Sequence, residues 1–244
     1  MTVSGAFLQV YPCFATQSGE ETLKKFRYRA RRTPVLVALL THDLHAADEF
    51  YKHTARSFKR RIREIERTYD QYSDAEMNHD LGGTTMSELA GEQVQETHML
   101  SEMNGYFGIL TVYGAFERFL FWIFQDMKNR GEVTGAASNQ GYLTLEGYKD
   151  VFKTSGVYLS QPPFKWSELK KLQAIRNVIA HHNGHVIADQ EKWVASYGYR
   201  AGDSIVIDDS YFQHAIDIVR DTCSMLSKKM DSLPKPTPKK KNTL

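Results

Sequence analysis

The sequence predicts an all-α protein: a bundle of long antiparallel helices with one small β-hairpin inserted near its C-terminal end. Three observations carry this. Apolar residues recur at three- and four-residue steps over several separate stretches, the repeat of an amphipathic helix. Candidate caps (Ser, Thr, Asp) precede these stretches, and Gly or Asn-Gly follows them. The period changes after Gly184, where residues 193–197 and 204–207 are placed to pair as a hairpin across Gly198 and Gly202.

The first 42 residues form an N-terminal extension of uncertain structure. Phe7, Gln9 and Tyr11 suggest a short strand or loop, and Lys24, Lys25, Arg27, Arg29, Arg31 and Arg32 make a dense basic run. Pro34 ends whatever helix precedes it. A helical domain is then expected over residues 43–232. Thr41 or Asp43 caps its first long helix, which runs to about Tyr72 with Leu44, Ala47, Tyr51, Ala55, Phe58, Ile62, Ile65, Tyr69 and Tyr72 in a near-heptad stripe. Arg56, Lys59, Arg60, Arg61, Arg63 and Arg67 cover its other faces. They read either as a solvated helix surface with Glu64 and Glu66 as local partners, or as a track for RNA phosphates.

Residues 78–85, with Gly82 and Gly83, read as a loop. A second long helix spans residues 87–128, and its late half is dense in aromatics: Tyr106, Phe107, Tyr113, Phe116, Phe119, Phe121, Trp122 and Phe124. A helix apolar all round belongs in the core. Glu117 breaks that pattern, because a carboxylate among such neighbours needs a cationic or hydrogen-bonding partner. Arg176 is the expected one. Residues 131–140 form a polar loop, and Thr144 caps a short helix over residues 145–153. Asp209 or Ser210 caps the last helix, which carries Phe212, Ala215, Ile216, Val219, Cys223, Leu226 and Met230 on one side. Residues 233–244 read as a disordered basic tail.

Composition narrows the function classes. A net charge of +2 excludes a polycation, so any basic surface must come from local patterning. Two cysteines, Cys13 and Cys223, make no disulfide framework, and no CxxC pair suggests zinc. They read as thiols of a reducing, cytoplasmic compartment. No secretory signal is seen, and no run of about 20 apolar residues is expected to span a membrane. GxSxG, Walker and HExxH motifs do not occur. Asn78, His79 and Asp80 offer too few ligands to claim a metal, so no metal or other cofactor is expected.

The chain is organised around residues 167–186, SELKKLQAIRNVIAHHNGHV. Ser167 caps the helix, Leu169, Leu172, Ile175 and Ile179 line one stripe, and Asn183-Gly184 stops it. Its last two turns hold Arg176, Asn177, His181 and His182. A cation, an amide and two imidazoles crowd the end of a core helix. Arg176 and His181 diverge by about 140° on one helix, so either the long Arg side chain reaches round or a second copy of the helix completes the site.

The stretch from Arg176 through Asn177 to His181 resembles the RNxxxH form of the Rx4-6H motif of HEPN-domain ribonucleases, and the looser motif also fits Arg176 with His182. The likeness covers about residues 43–230. It implies a HEPN-like helical bundle that forms a homodimer, brings two motifs into one cleft and cuts RNA without metal. The chemistry suits the residues. An RNA 2′-OH attacks its own phosphate, His moves the proton, and the Arg fork stabilises charge on phosphorus-bound oxygens. The expected catalytic set is Arg176, His181, Asn177, His182 and Glu117, where Asn177 binds phosphate or holds the imidazole and Glu117 orients Arg176. Lys170, Lys171, Arg60 and Arg61 are expected to hold the RNA.

The resemblance also implies a toxin–antitoxin or anti-phage setting, with tRNA or mRNA as target and an antitoxin or regulatory protein as partner. Some members carry a tyrosine for adenylylation two residues after the motif His. Here that position is Asn183, which argues against that form of neutralisation. Two further readings stand beside this one: a non-catalytic HEPN-like module that binds RNA or protein, and a purely structural helical dimerisation protein.

Overall fold

The structure is a computed structural model that describes residues 32–133 and 141–232. The basic run over residues 24–31, Cys13, most of the polar loop before residue 141 and the tail from residue 233 lie outside the described residues. What is described is mostly helical, with no strand among the described residues.

Helix α1 runs from Arg32–Tyr69. It therefore begins well before the expected cap at Thr41 or Asp43. Pro34 falls in its first turn, where a missing N–H leaves no intrahelical bond unmade. A one-turn helix α2 (Asp74–Met77) follows, then the long α3 (Met86–Asn129). Thr85 and Glu88 close a reciprocal capping box at the start of α3. At 1.5 Å per residue, α1 is about 57 Å and α3 about 66 Å long. The two run antiparallel. Arg118 reaches Asp43 at 3.3 Å, Asn104 donates to the Tyr51 carbonyl at 3.3 Å, and Gln93 donates to the Tyr69 hydroxyl at 3.3 Å. As the number on α3 falls, its partner's number on α1 rises.

Three helices pack on α3: α4 (Leu145–Thr154), α5 (Trp166–His182) and, against its C-terminal half, α7 (Asp209–Ser232). The short α6 (Ala188–Val194), with a 3-10 turn at Ala195–Tyr197, packs on α5. Small residues let α7 come close. A Cβ on Gly108 would lie 2.6 Å from the Phe212 ring, and one on Gly105 would lie 2.8 Å from Ile207. All seven apolar positions expected for the last helix are buried, as are Leu169, Leu172, Ile175 and Ile179 of α5. Beyond Tyr51 on α1 and before Asn104 on α3, only Ile65 and Thr97 are buried. That half of the helix pair is a thin, mostly solvated arm.

Several sequence expectations change. The hairpin does not form among the described residues: Trp193 lies in α6 and residues 195–197 in the 3-10 turn. Residues 204–205 pair instead with the chain just after α5. Ile205 N donates to the Gly184 carbonyl at 2.8 Å, and His185 bridges Ser204. Ser167 is not the cap of α5, since the cap position is Lys165, with no side-chain bond. Asp208, rather than Asp209 or Ser210, accepts from Tyr211 N at 2.7 Å at the head of α7. Helix α3 is also long and apolar enough, by length and composition, to cross a membrane. Its residues Ile109, Val112, Phe116, Phe119, Leu120, Ile123 and Phe124 are instead at most 3% exposed inside the bundle.

Candidate functional site

The end of α5 is fixed by backbone chemistry and packing. Asn183 takes a left-handed conformation (φ 51°), and Gly184 follows with φ 83°. Gly184 is needed twice over. Its φ favours glycine, and a Cβ there would lie 2.3 Å from the Tyr106 hydroxyl oxygen. Tyr106 itself donates to the Ile205 carbonyl at 2.8 Å, so one tyrosine of α3 holds the cap and the returning chain together.

Within this frame Arg176 is clamped from three sides. Its Nη2 donates to Glu117 Oε2 at 3.1 Å, the pairing expected from the sequence. Its Nη1 donates to Asn177 Oδ1 at 3.1 Å. The guanidinium lies 5.3 Å from the centroid of the Tyr113 ring. Tyr113 was not among the expected site residues, although it stands one turn before Glu117, which is where a ring beneath the Arg176 guanidinium has to be. Burial pushes the Glu117 carboxyl above its ordinary range, and the opposing pull of Arg176 does not cancel it. Burial, and then the charge of Glu117, likewise push the Tyr113 hydroxyl up.

The imidazoles are less constrained. His181 is exposed and His182 half-buried, with ring centroids 6.5 Å apart in an edge-on arrangement. Asn177 spends its carbonyl oxygen on Arg176, and among the described residues no hydrogen bond joins it to either imidazole. At about 100° per residue, Lys170, Asn177 and His181 share one flank of α5, whereas Lys171 and His182 share another. Arg176 points to neither flank but to Glu117. The five expected catalytic residues thus lie at one end of the bundle, without converging on one point in a single chain.

The residues expected to hold RNA divide in the same way. Lys170 lies 3.1 Å from Glu146, and the Lys171 ammonium sits over the Tyr197 and Tyr211 rings at 5.3 and 5.8 Å. Both are engaged within the fold. Arg60 and Arg61 lie on the arm, far along α1 from the level of Glu117. Arg56, Arg60, Arg63 and Arg67 follow steps of four, three and four, and so form one ridge opposite the Leu44–Tyr51–Ile65 core stripe. Arg61 is displaced about 100° from this ridge.

One further surface borders the site. Along α3, Met99 and Phe107 are exposed, and Met103, Leu110, Gly114, Glu117 and Phe121 are partly so. They lie on one face and lead to Arg176, so the central helix is not buried all round as its aromatic content suggested. No family model, curated protein or solved structure matches this chain. Fold and site together define a class only: an all-α helical bundle with an Arg–Glu–Tyr clamp and two imidazoles at the end of one core helix.

Proposed function

We propose that the protein is a metal-independent endoribonuclease of HEPN type. The observation that supports this reading is the Arg176 clamp. A guanidinium aimed by Glu117, Asn177 and Tyr113, with two accessible imidazoles in the adjacent turns, suits a phosphoryl reaction at the end of α5. In the proposed step the RNA 2′-oxygen attacks the adjacent phosphorus and gives its proton to a neutral imidazole, His181. Arg176 donates to the non-bridging oxygens as negative charge builds there. The P–O5′ bond breaks, and the leaving oxygen takes a proton from a second imidazole, that of His182 or of His181 in another copy. The products are a 2′,3′-cyclic phosphate and a 5′-hydroxyl.

Because Arg176 and His181 diverge, the reading places the working cleft between two copies. The partly apolar α3 face from Met99 to Phe121 is the surface that would meet across the twofold axis. A toxin or anti-phage role on tRNA or mRNA in the cytoplasm, held in check by an antitoxin or other regulatory protein, belongs to the same proposal. A second reading, a non-catalytic module binding RNA or protein, is favoured by one feature: the Arg176 guanidinium is already paired with Glu117.

Incubating pure protein with total RNA in excess EDTA separates the two. Cleavage leaving cyclic phosphate ends is expected, with a loss of at least ~100-fold on Arg176→Ala or His181→Ala while the helical circular dichroism remains. Mixing those two inactive variants is expected to restore partial activity through mixed dimers. Cleavage at the wild-type rate in both variants rejects the assignment. Full activity from a monomer rejects the shared cleft, and activity that returns only with a divalent ion rejects the metal-free step.

A further inference from the structure

One aromatic pair beside the clamp is not used by the chemistry above. Tyr142 is 74% exposed, yet its ring is stacked on Phe121, with centroids 4.2 Å apart and planes 15° from parallel. Phe121 stands one turn after Glu117 on the same face of α3, just as Tyr113 stands one turn before it. Burial pushes the Tyr148 hydroxyl up, and Glu117 and Tyr142 both lie near enough to add to that rise, so the stack and the clamp share one neighbourhood. Along this face the order is therefore a ring under a guanidinium, a carboxylate, and a ring pair open to water, at steps of about 6 Å. One face of Tyr142 is covered by Phe121 and the other meets solvent.

Single exposed apolar residues are ordinary on protein surfaces. This one differs in that a partner ring fixes its plane and its free face lies beside a site with an oriented cation. A nucleotide presents the same two chemistries, a flat base and a charged phosphate. Phe107, also outward on α3, has no stacked ring among the described residues and does not fit this pattern.

We infer that the outward face of Tyr142 is a stacking platform for a base of single-stranded RNA flanking the phosphate held at Arg176. The inference rests on the ribonuclease reading and adds to it the class of substrate: an unpaired strand, read through its π-face and hence with little base preference. Stacking of a base on an aromatic side chain is worth about 1–3 kcal/mol.

The test uses the full chain carrying His181→Ala, so that RNA is bound without being cut, and a fluorescein-labelled oligoribonucleotide read by anisotropy. Tyr142→Ala is expected to weaken binding by about 5- to 150-fold, and Tyr142→Trp to restore it, with indole emission quenched as the base stacks. An oligomer with abasic positions is expected to bind equally well with Tyr142 or with Ala at that position. Binding by Tyr142→Ala within twofold of the parent overturns the inference, as does a loss of the same size with the abasic oligomer. Conversion of a dimer to a monomer by Tyr142→Ala in sedimentation also overturns it, since the ring would then serve a protein contact. Wild-type protein that cuts RNA while Tyr142→Ala binds normally leaves the ribonuclease reading intact and removes only the platform. Wild-type protein that neither binds nor cuts RNA removes both.

Discussion

Arg176 and Arg60 carry the same guanidinium in opposite circumstances. Arg176 is 29% exposed and held by a carboxylate, an amide and a ring, on a helix anchored in the core by Leu169, Leu172, Ile175 and Ile179. Arg60 is 72% exposed on a solvated arm, with Glu64 at a loose 3.8 Å. The first cation has a fixed direction and little freedom to lose on meeting a phosphate. The second can follow a moving polyanion but cannot aim at one atom. The difference teaches that charge alone does not mark a site. Burial and the number of fixed partners divide an orienting arginine from a steering one. It also predicts that the clamp end and the arm respond differently to the same kind of perturbation.

The largest contrast is expected for glycine replacement. Gly184 and Gly82 both have positive φ, 83° and 88°. Around a Cβ on Gly82 there is open space, whereas at Gly184 it would strike Tyr106. Gly82→Ala on the arm should cost only the backbone term, about 1–2 kcal/mol. Gly184→Ala should cost about 2–5 kcal/mol, because overpacking adds to that term, and it should displace the imidazoles as well. Urea unfolding of the two variants measures this, and equal losses would show that the cap is not rigidly packed.

A second contrast lies in pH dependence. Glu117 has a folded pKa raised by burial, so the folded state holds its proton more tightly than the unfolded chain. Its contribution to stability is present below the ordinary carboxylate range and is lost as pH rises through the raised value. Asp209, at the root of the arm, is lowered first by its hydrogen bond from Lys59 and also by Tyr51. Its contribution is present above the ordinary aspartate range and is lost as pH falls through the lowered value. Melting temperatures of Glu117→Gln and Asp209→Asn, each subtracted from wild type, should therefore slope in opposite directions across acid pH. Parallel slopes would mean that Glu117 is not governed by burial.

Much of the clamp end was legible in the sequence because its signals are local or strongly constrained. The α5 stripe, the Asn183-Gly184 stop and the Glu117–Arg176 pair follow from helical spacing and from the cost of a carboxylate among apolar neighbours. Other features depend on contacts the periodicity does not carry. Residues 193–197 alternate over too short a run to distinguish a strand from a turn of helix, and the acidic residues Asp189 and Glu191 in the first turn favour the helix. Pro34 is compatible with a first turn as well as with a stop. The Phe121–Tyr142 stack joins residues separated by a polar loop, and no local pattern announces it. The outward face of α3 departs from the sequence reading because an aromatic-rich helix looks apolar all round even when one of its faces is partly exposed.

The smallest effect expected is also the sharpest probe of the arm. Arg60 and Arg61 are adjacent, equally charged and both exposed, so a diffuse electrostatic surface would treat them alike. A phosphate track would not. Arg60 belongs to the ridge with Arg56, Arg63 and Arg67, whose steps of four, three and four repeat about every 5.5 Å along one side of α1. Arg61 faces about 100° away. If the ridge contacts an RNA strand, Arg60→Ala should lower the slope of log affinity against log salt by about 0.7, the value of one phosphate contact on a single strand, while Arg61→Ala leaves it unchanged. Neither variant should alter the cleavage rate at saturating RNA, because both lie far along α1 from Arg176. Titrations over a range of salt concentrations measure the slopes. An equal fall in both variants would mean that the arm attracts RNA only through its summed charge. No change in either would return the ridge to an ordinary solvated helix face.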